Sequence, residues 1–275
     1  MSNWFEGDVE VNGIRVHYHR TGSPGKPGLL LLHGITDSGR VWTRVARDLA
    51  DGYDIVMTDA RGHGLSDDLA AGFSIPMLAD DAAGVIKGLG LQKPYLWGHS
   101  MGAITAAAVA ANYPELVRAV VLEDPPLWSA PAEVEQGGAG REREAAARRP
   151  SFPDFRAMSP EERLATAAAM NPGWHADELP PWAESKAQFD PAIAQYFTSF
   201  QGYPWREVLA RIECPTLLLT GDPEAGAIVT PETAQEAVAL LKRGQVVRIA
   251  DCGHNIHRER YEQTMQVVGA FLDGH

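Results

Sequence analysis

The chain has 275 residues, 45% of them hydrophobic and 22% charged, a size and balance that fit one globular α/β unit able to bury a core without staples. Its formal net charge of -12 argues against nucleic acid or an anionic membrane as a partner. No apolar run approaches the roughly 20 residues needed to cross a bilayer, and the first residues carry no basic, apolar leader. With only Cys214 and Cys252 there is no disulfide framework, so both read as reduced and the protein as cytoplasmic.

Val9 to Arg20 alternates around Asn12-Gly13 and predicts a hairpin. Gly28 to Leu32 is apolar on every side, as a central strand covered on both faces must be. Then follow, as predicted elements, a helix over 41–49, a strand over 53–58, a helix over 75–89 opened by Pro76, a strand over 95–97, an Ala-rich helix over 103–112 and a strand over 117–123. After a break come strands over 216–220 and 246–249, a helix over 233–241 between them, and a closing helix over 261–272. Strands alternating with helices at this spacing predict a mostly parallel central sheet flanked by helices.

The break runs from Pro125 to Glu207 and holds no convincing strand. A structureless loop of that length is improbable, so a helical cap insertion over 125–207 is expected, with the core formed by 1–124 and 208–275. Eleven aromatic residues lie in it, from Trp128 to Trp205, which either pack the insertion onto the body or line a substrate cavity beneath it. Gly137 to Gly140 reads as a link within the cap.

The chemistry centres on Gly98-His99-Ser100-Met101-Gly102, between a strand and a helix. The glycines permit the sharp turn that pushes Ser100 Oγ out of the sheet, and the Met101 N–H then serves as one oxyanion donor. His33-Gly34-Ile35 follows an earlier strand, so the Ile35 N–H is the expected second donor, with His33 shaping the loop. A serine needs a general base. Of nine histidines, His254 stands after the last strand, at the same end of the sheet as Ser100. His257, three residues on, suggests a metal pair, but nothing supplies the remaining ligands, and no metal or other cofactor is expected. Asp124, Glu224 and Asp222 all follow strands on that face, and each preserves the order serine, acid, histidine.

These residues, with Asp59-Ala60-Arg61-Gly62-His63-Gly64-Leu65-Ser66-Asp67 and Asp251 to His254, resemble the α/β-hydrolase superfamily over nearly the whole chain. The resemblance implies a serine hydrolase with a cap, the 59–67 loop being structural. The family's usual place for the acid is Glu224, but the stretch Asp222-Pro223-Glu224-Ala225-Gly226 departs from the usual pattern. It looks more like the haloalkane dehalogenase and coelenterazine luciferase branch, whose acid stands 24 residues beyond the nucleophile. That position is Asp124, which the comparison favours, with Glu224 and Asp222 as alternatives. A serine at position 100 sets the chain apart from dehalogenases and epoxide hydrolases of this fold, which use an aspartate.

The expected activity is hydrolysis of small to medium, hydrophobic carboxylic esters through an acyl-enzyme. Alternatives are lactone hydrolysis and C–C bond cleavage of a diketone-type substrate, for which Arg141, Arg143, Arg148 and Arg149 could supply cations. A binding protein without turnover would not need both Ser100 and His254. A small-molecule ester or lactone is therefore the expected partner, and oligomeric state is not legible.

Overall fold

The computed structural model describes residues 4–22, 25–69, 72–128, 153–200 and 202–275. An eight-stranded sheet organises the chain, in the order β1-β2-β4-β3-β5-β6-β7-β8. The strands are β1 (Phe5–Val11), β2 (Ile14–Arg20), β3 (Gly28–Leu32), β4 (Asp54–Thr58), β5 (Tyr95–His99), β6 (Val120–Glu123), β7 (Thr216–Thr220) and β8 (Gly244–Arg248). β1 and β2 form the expected hairpin, with Asn12 at φ 50° and Gly13 at φ 78°, the positive pair that matches the twist of the flanking strands. β2 joins β4 antiparallel, and every pairing from β4 to β8 is parallel.

Side chains alternate across each strand, so the apolar runs feed two cores. Leu30, Leu32, Leu96 and Leu122 face one core with helices α2 (Ile75–Gly88) and α3 (Met101–Asn112). Leu29, Leu31, Trp97 and Val121 face the other with α1 (Thr43–Leu49). The Ala-rich α3 is buried almost all round, because small side chains let it lie close on the sheet.

Between β6 and β7 the described chain is helical: α4 (Pro160–Met170), α5 (Leu179–Gln188) and α6 (Trp205–Arg211). α4 opens on a full capping box from Ser159 and Glu162. Phe155 and Trp182 meet edge to face at 5.8 Å, and Trp174 and Trp182 at 5.7 Å, forming a small core of the insertion's own. Phe200 and Trp205 are buried in the main core. These five aromatics pack the insertion and anchor it. Gly137 to Gly140 and the arginines at 141, 143, 148 and 149 lie outside the described residues. After β7 come α7 (Pro231–Leu240), then β8, a short α8 (Ile256–Glu259) that the sequence did not reveal, and α9 (Tyr261–Asp273).

Candidate active site

Ser100 stands between the end of β5 and the first turn of α3 with φ 54° and ψ -117°. A non-glycine residue in that region is strained and persists only where the surroundings hold it. The flanking glycines do so. A Cβ at Gly98 would lie 2.1 Å from the Gly102 carbonyl oxygen, and one at Gly102 would lie 2.0 Å from that of Leu32. The strand-to-helix turn is thus too tight for any side chain at either place. Gly102→Ala is expected to destabilise the fold by about 3 kcal/mol or more. Urea unfolding checks this, and a midpoint equal to that of the parent chain would refute the steric account.

The end of β6 brings Asp124 and His254 together. His254 Nδ1 donates to Asp124 Oδ2 across 2.7 Å. The carboxylate is fully buried and also accepts the backbone N–H groups of Ile228 at 2.8 Å and Val229 at 3.0 Å. Asp124 itself turns through φ 43° to reach them. Asp222 is engaged elsewhere, accepting from Arg248 Nε at 2.6 Å and the Asp251 N–H at 2.8 Å. Glu224 is exposed on the short turn Pro223–Ala225.

His254 is held from a second side. His99, in the elbow, donates from Nε2 to the His254 carbonyl oxygen at 2.9 Å, and the two rings lie 4.6 Å apart. No local pattern in the sequence assigns His99 this bracing contact. His257 is occupied by the fold. Its Nδ1 bonds Glu123 Oε1 at 2.7 Å, and its ring stacks on Trp42 at 4.4 Å. Glu123 also accepts from Trp97 Nε1 at 3.1 Å, so the acid beside Asp124 ties β6 to the second core.

The loop after β3 carries Ile35. His33 shapes it as expected, donating from Nδ1 to the Gly34 carbonyl at 2.7 Å and accepting the Ala60 N–H on Nε2 at 2.9 Å. His63 Nε2 lies 2.6 Å from the Ile35 carbonyl oxygen and fixes the orientation of that peptide. The 59–67 loop is structural. Asp59 accepts the Gly39 and Leu65 N–H groups at 2.6 and 2.8 Å, and Arg61 makes a buried bidentate pair with Asp81 at 2.7 and 2.8 Å. At the head of α3 the Met101 N–H precedes the first bonds of the helix, which run from the Ala103 and Ile104 N–H groups to the Ser100 carbonyl oxygen at 2.9 and 3.2 Å.

A buried ionic cluster, not evident from sequence, joins this loop to the insertion. Lys186 of α5 donates to Asp37 Oδ1 and to the Thr36 carbonyl oxygen, the latter at 2.9 Å. Arg258 of α8 donates to Asp37 Oδ2 at 2.8 Å and to Asn255 Oδ1 at 2.6 Å. Burial lowers the Lys186 ammonium, Asp37 opposes that shift, and the balance leaves it at about 8.

Buried histidines make the fold sensitive to acid. Burial holds His33 below its ordinary value of 6.5. Burial, followed by the neighbouring His254, holds His99 well below it. The donor and acceptor partners of His33 independently require a neutral ring. As pH falls through 6.5 the unfolded chain protonates these histidines, and His63, which burial holds at about 4, while the folded chain keeps them neutral. Stability therefore falls with acid until the depressed folded values are reached. Urea midpoints measured between pH 7.5 and 5.5 should drop accordingly, and equal midpoints would refute this.

Comparisons with known proteins agree with this architecture. Residues 27–261 match the model of the family described as alpha/beta hydrolase fold. The chain is 31% identical to N-formylmaleamate deformylase of Pseudomonas putida, over 97% of this chain and 96% of that one. It is 30% identical to 3-hydroxybutyrate-oligomer hydrolase of Cupriavidus necator, over 87% of each. The crystal structure of E-2-(acetamidomethylene)succinate hydrolase superposes with a TM-score of 0.78 at 26% identity, covering 98% of this chain and all of that one.

Proposed function

The chain belongs to the α/β-hydrolase fold family, and on that premise we propose that it is a serine hydrolase acting through an acyl-enzyme. The observation that carries the proposal is the 2.7 Å bond from His254 Nδ1 to the buried carboxylate of Asp124, at the same end of the sheet as the strained Ser100. In this reading Asp124 holds the ring so that Nε2 is the basic nitrogen. His254 takes the Ser100 proton as Oγ adds to the substrate carbonyl carbon, and the new oxyanion accepts from the Ile35 and Met101 N–H groups. The carbonyl re-forms, the leaving group departs with the proton from His254, and water repeats the sequence on the acyl-enzyme. The core over 1–124 and 208–275 supplies all of these residues, and the insertion over 125–207 serves as the cap.

Small carboxylic esters are the substrate class this machinery fits directly, since an alcohol leaves readily. The relative from Cupriavidus necator supports it, as hydroxy-acid oligomers are joined through esters. A second reading, cleavage of a short N-acyl group from an acidic compound, draws on the names of the Pseudomonas relative and of the structural neighbour. Initial rates on p-nitrophenyl acetate and butyrate, beside N-formylmaleamate, separate the two. We expect ester turnover that is lost when a fluorophosphonate labels Ser100. Turnover of the N-formyl compound with inert esters would establish the second reading. No labelling and no turnover of either class would overturn both.

A further inference from the structure

The first hairpin carries a feature that the hydrolytic machinery does not use. Its two-residue turn pairs Asp8 with His17 and Glu6 with His19, which places all four side chains on one face of β1 and β2. Glu6 Oε2 lies 3.3 Å from His19 Nδ1 and 4.0 Å from His17 Nε2, and the three donor atoms all fall within 4.8 Å of one another. Ligands around a tetrahedral zinc ion, bound at about 2.0–2.2 Å, sit roughly 3.3–3.5 Å apart, so small side-chain adjustments suffice.

His17 makes the case specific. It is 6% exposed, and its Nδ1 bonds Asp8 Oδ1 at 2.8 Å. With the proton on Nδ1, the lone pair of Nε2 points towards Glu6 and His19. That Nε2 is buried and has no hydrogen-bond partner among the described residues. A buried polar atom left unpaired is costly. A carboxylate that orients a histidine through its far nitrogen is also the usual outer support of a metal-bound imidazole. An ion pair between a charged His17 and Glu6 accounts for the arrangement less well, because 4.0 Å is too long for a hydrogen bond.

We propose that Glu6 Oε2, His17 Nε2 and His19 Nδ1 bind a divalent transition cation of the zinc type, with water completing the tetrahedron. Asp8 acts behind His17 as a positioning residue. The ion would fasten the edge strand β1 to β2 and take no part in hydrolysis. Its ligand set is nitrogen and carboxylate, which suits zinc ahead of magnesium or calcium.

The test is titration of the untagged, chelator-treated full chain with Zn2+ by calorimetry. We expect one equivalent bound at micromolar concentration or tighter and a higher Tm. Glu6→Gln and His19→Gln should each abolish the tight step while leaving ester turnover unchanged, and Asp8→Asn should weaken binding roughly 10–100-fold. Absence of stoichiometric binding, or binding undiminished in both ligand variants, overturns the proposal. If a variant fails to fold, long-range 1H–15N spectra of the unaltered chain decide. Zn2+ must shift His17 Nε2 and His19 Nδ1, and shifts confined to His254, His257 or His275 overturn it.

Discussion

Ser100→Ala is expected to lower kcat on any substrate the protein turns over by roughly 10⁴-fold or more, with the fold intact. Ser100 is only 8% exposed, and alanine removes a single oxygen, so no cavity of consequence opens. The strain at φ 54° remains with alanine, because it belongs to the backbone and to the clamp of Gly98 and Gly102. Stability measured by urea should therefore change by less than about 1 kcal/mol while turnover and fluorophosphonate labelling disappear together. Retained turnover would remove Ser100 from the proposed mechanism.

The second large effect is expected at the acid. Asp124→Asn should reduce kcat by about 10³–10⁴-fold with little change in KM, because the amide destabilises the tautomer that leaves Nε2 basic. It should also cost about 1–3 kcal/mol of stability. The carboxylate accepts three donors, and an amide has one oxygen to offer them. Glu224→Gln, at an exposed turn, should leave kcat/KM within about twofold. A larger loss from Glu224→Gln than from Asp124→Asn would transfer the role.

Much of the architecture was legible because it rests on local patterns. Apolar runs of five residues marked strands covered on both faces, and the glycine-flanked serine marked the elbow. The acid was harder for a physical reason. β6 and β7 are paired neighbours, so residues at the ends of both reach the same region of the sheet edge. Asp124, the acid proposed above, is held by the Ile228 and Val229 N–H groups, which lie 104 and 105 residues from it in sequence. No local pattern encodes such a contact. Lys186 is similar: one lysine in α5 looks solvated until Asp37, 149 residues away, is seen beside it. The aromatics between β6 and β7 illustrate a different limit. Phe155, Trp174 and Trp182 satisfy one another within the insertion, so aromatic content overstates what is left to line a substrate cavity. The hairpin is the converse case. Asn12-Gly13 already fixes its register, so the facing of Glu6 with His19 and Asp8 with His17 is implicit in the turn.

The Lys186–Asp37–Arg258 cluster bears on how such a protein can be diversified. A cap is ordinarily treated as an exchangeable part, replaced or shortened to admit other substrates. Here a side chain of the proposed cap, Lys186, neutralises a carboxylate two residues from the proposed oxyanion donor Ile35, and the other neutralising group follows His254 on α8. A transplanted cap without a counterpart of Lys186 would leave Asp37 facing Arg258 alone and would remove the donor that holds the Thr36 carbonyl. Inheritance of substrate scope and inheritance of catalytic geometry are thus linked at one lysine, and a cap exchange in this chain is best begun on the C-terminal side of Lys186.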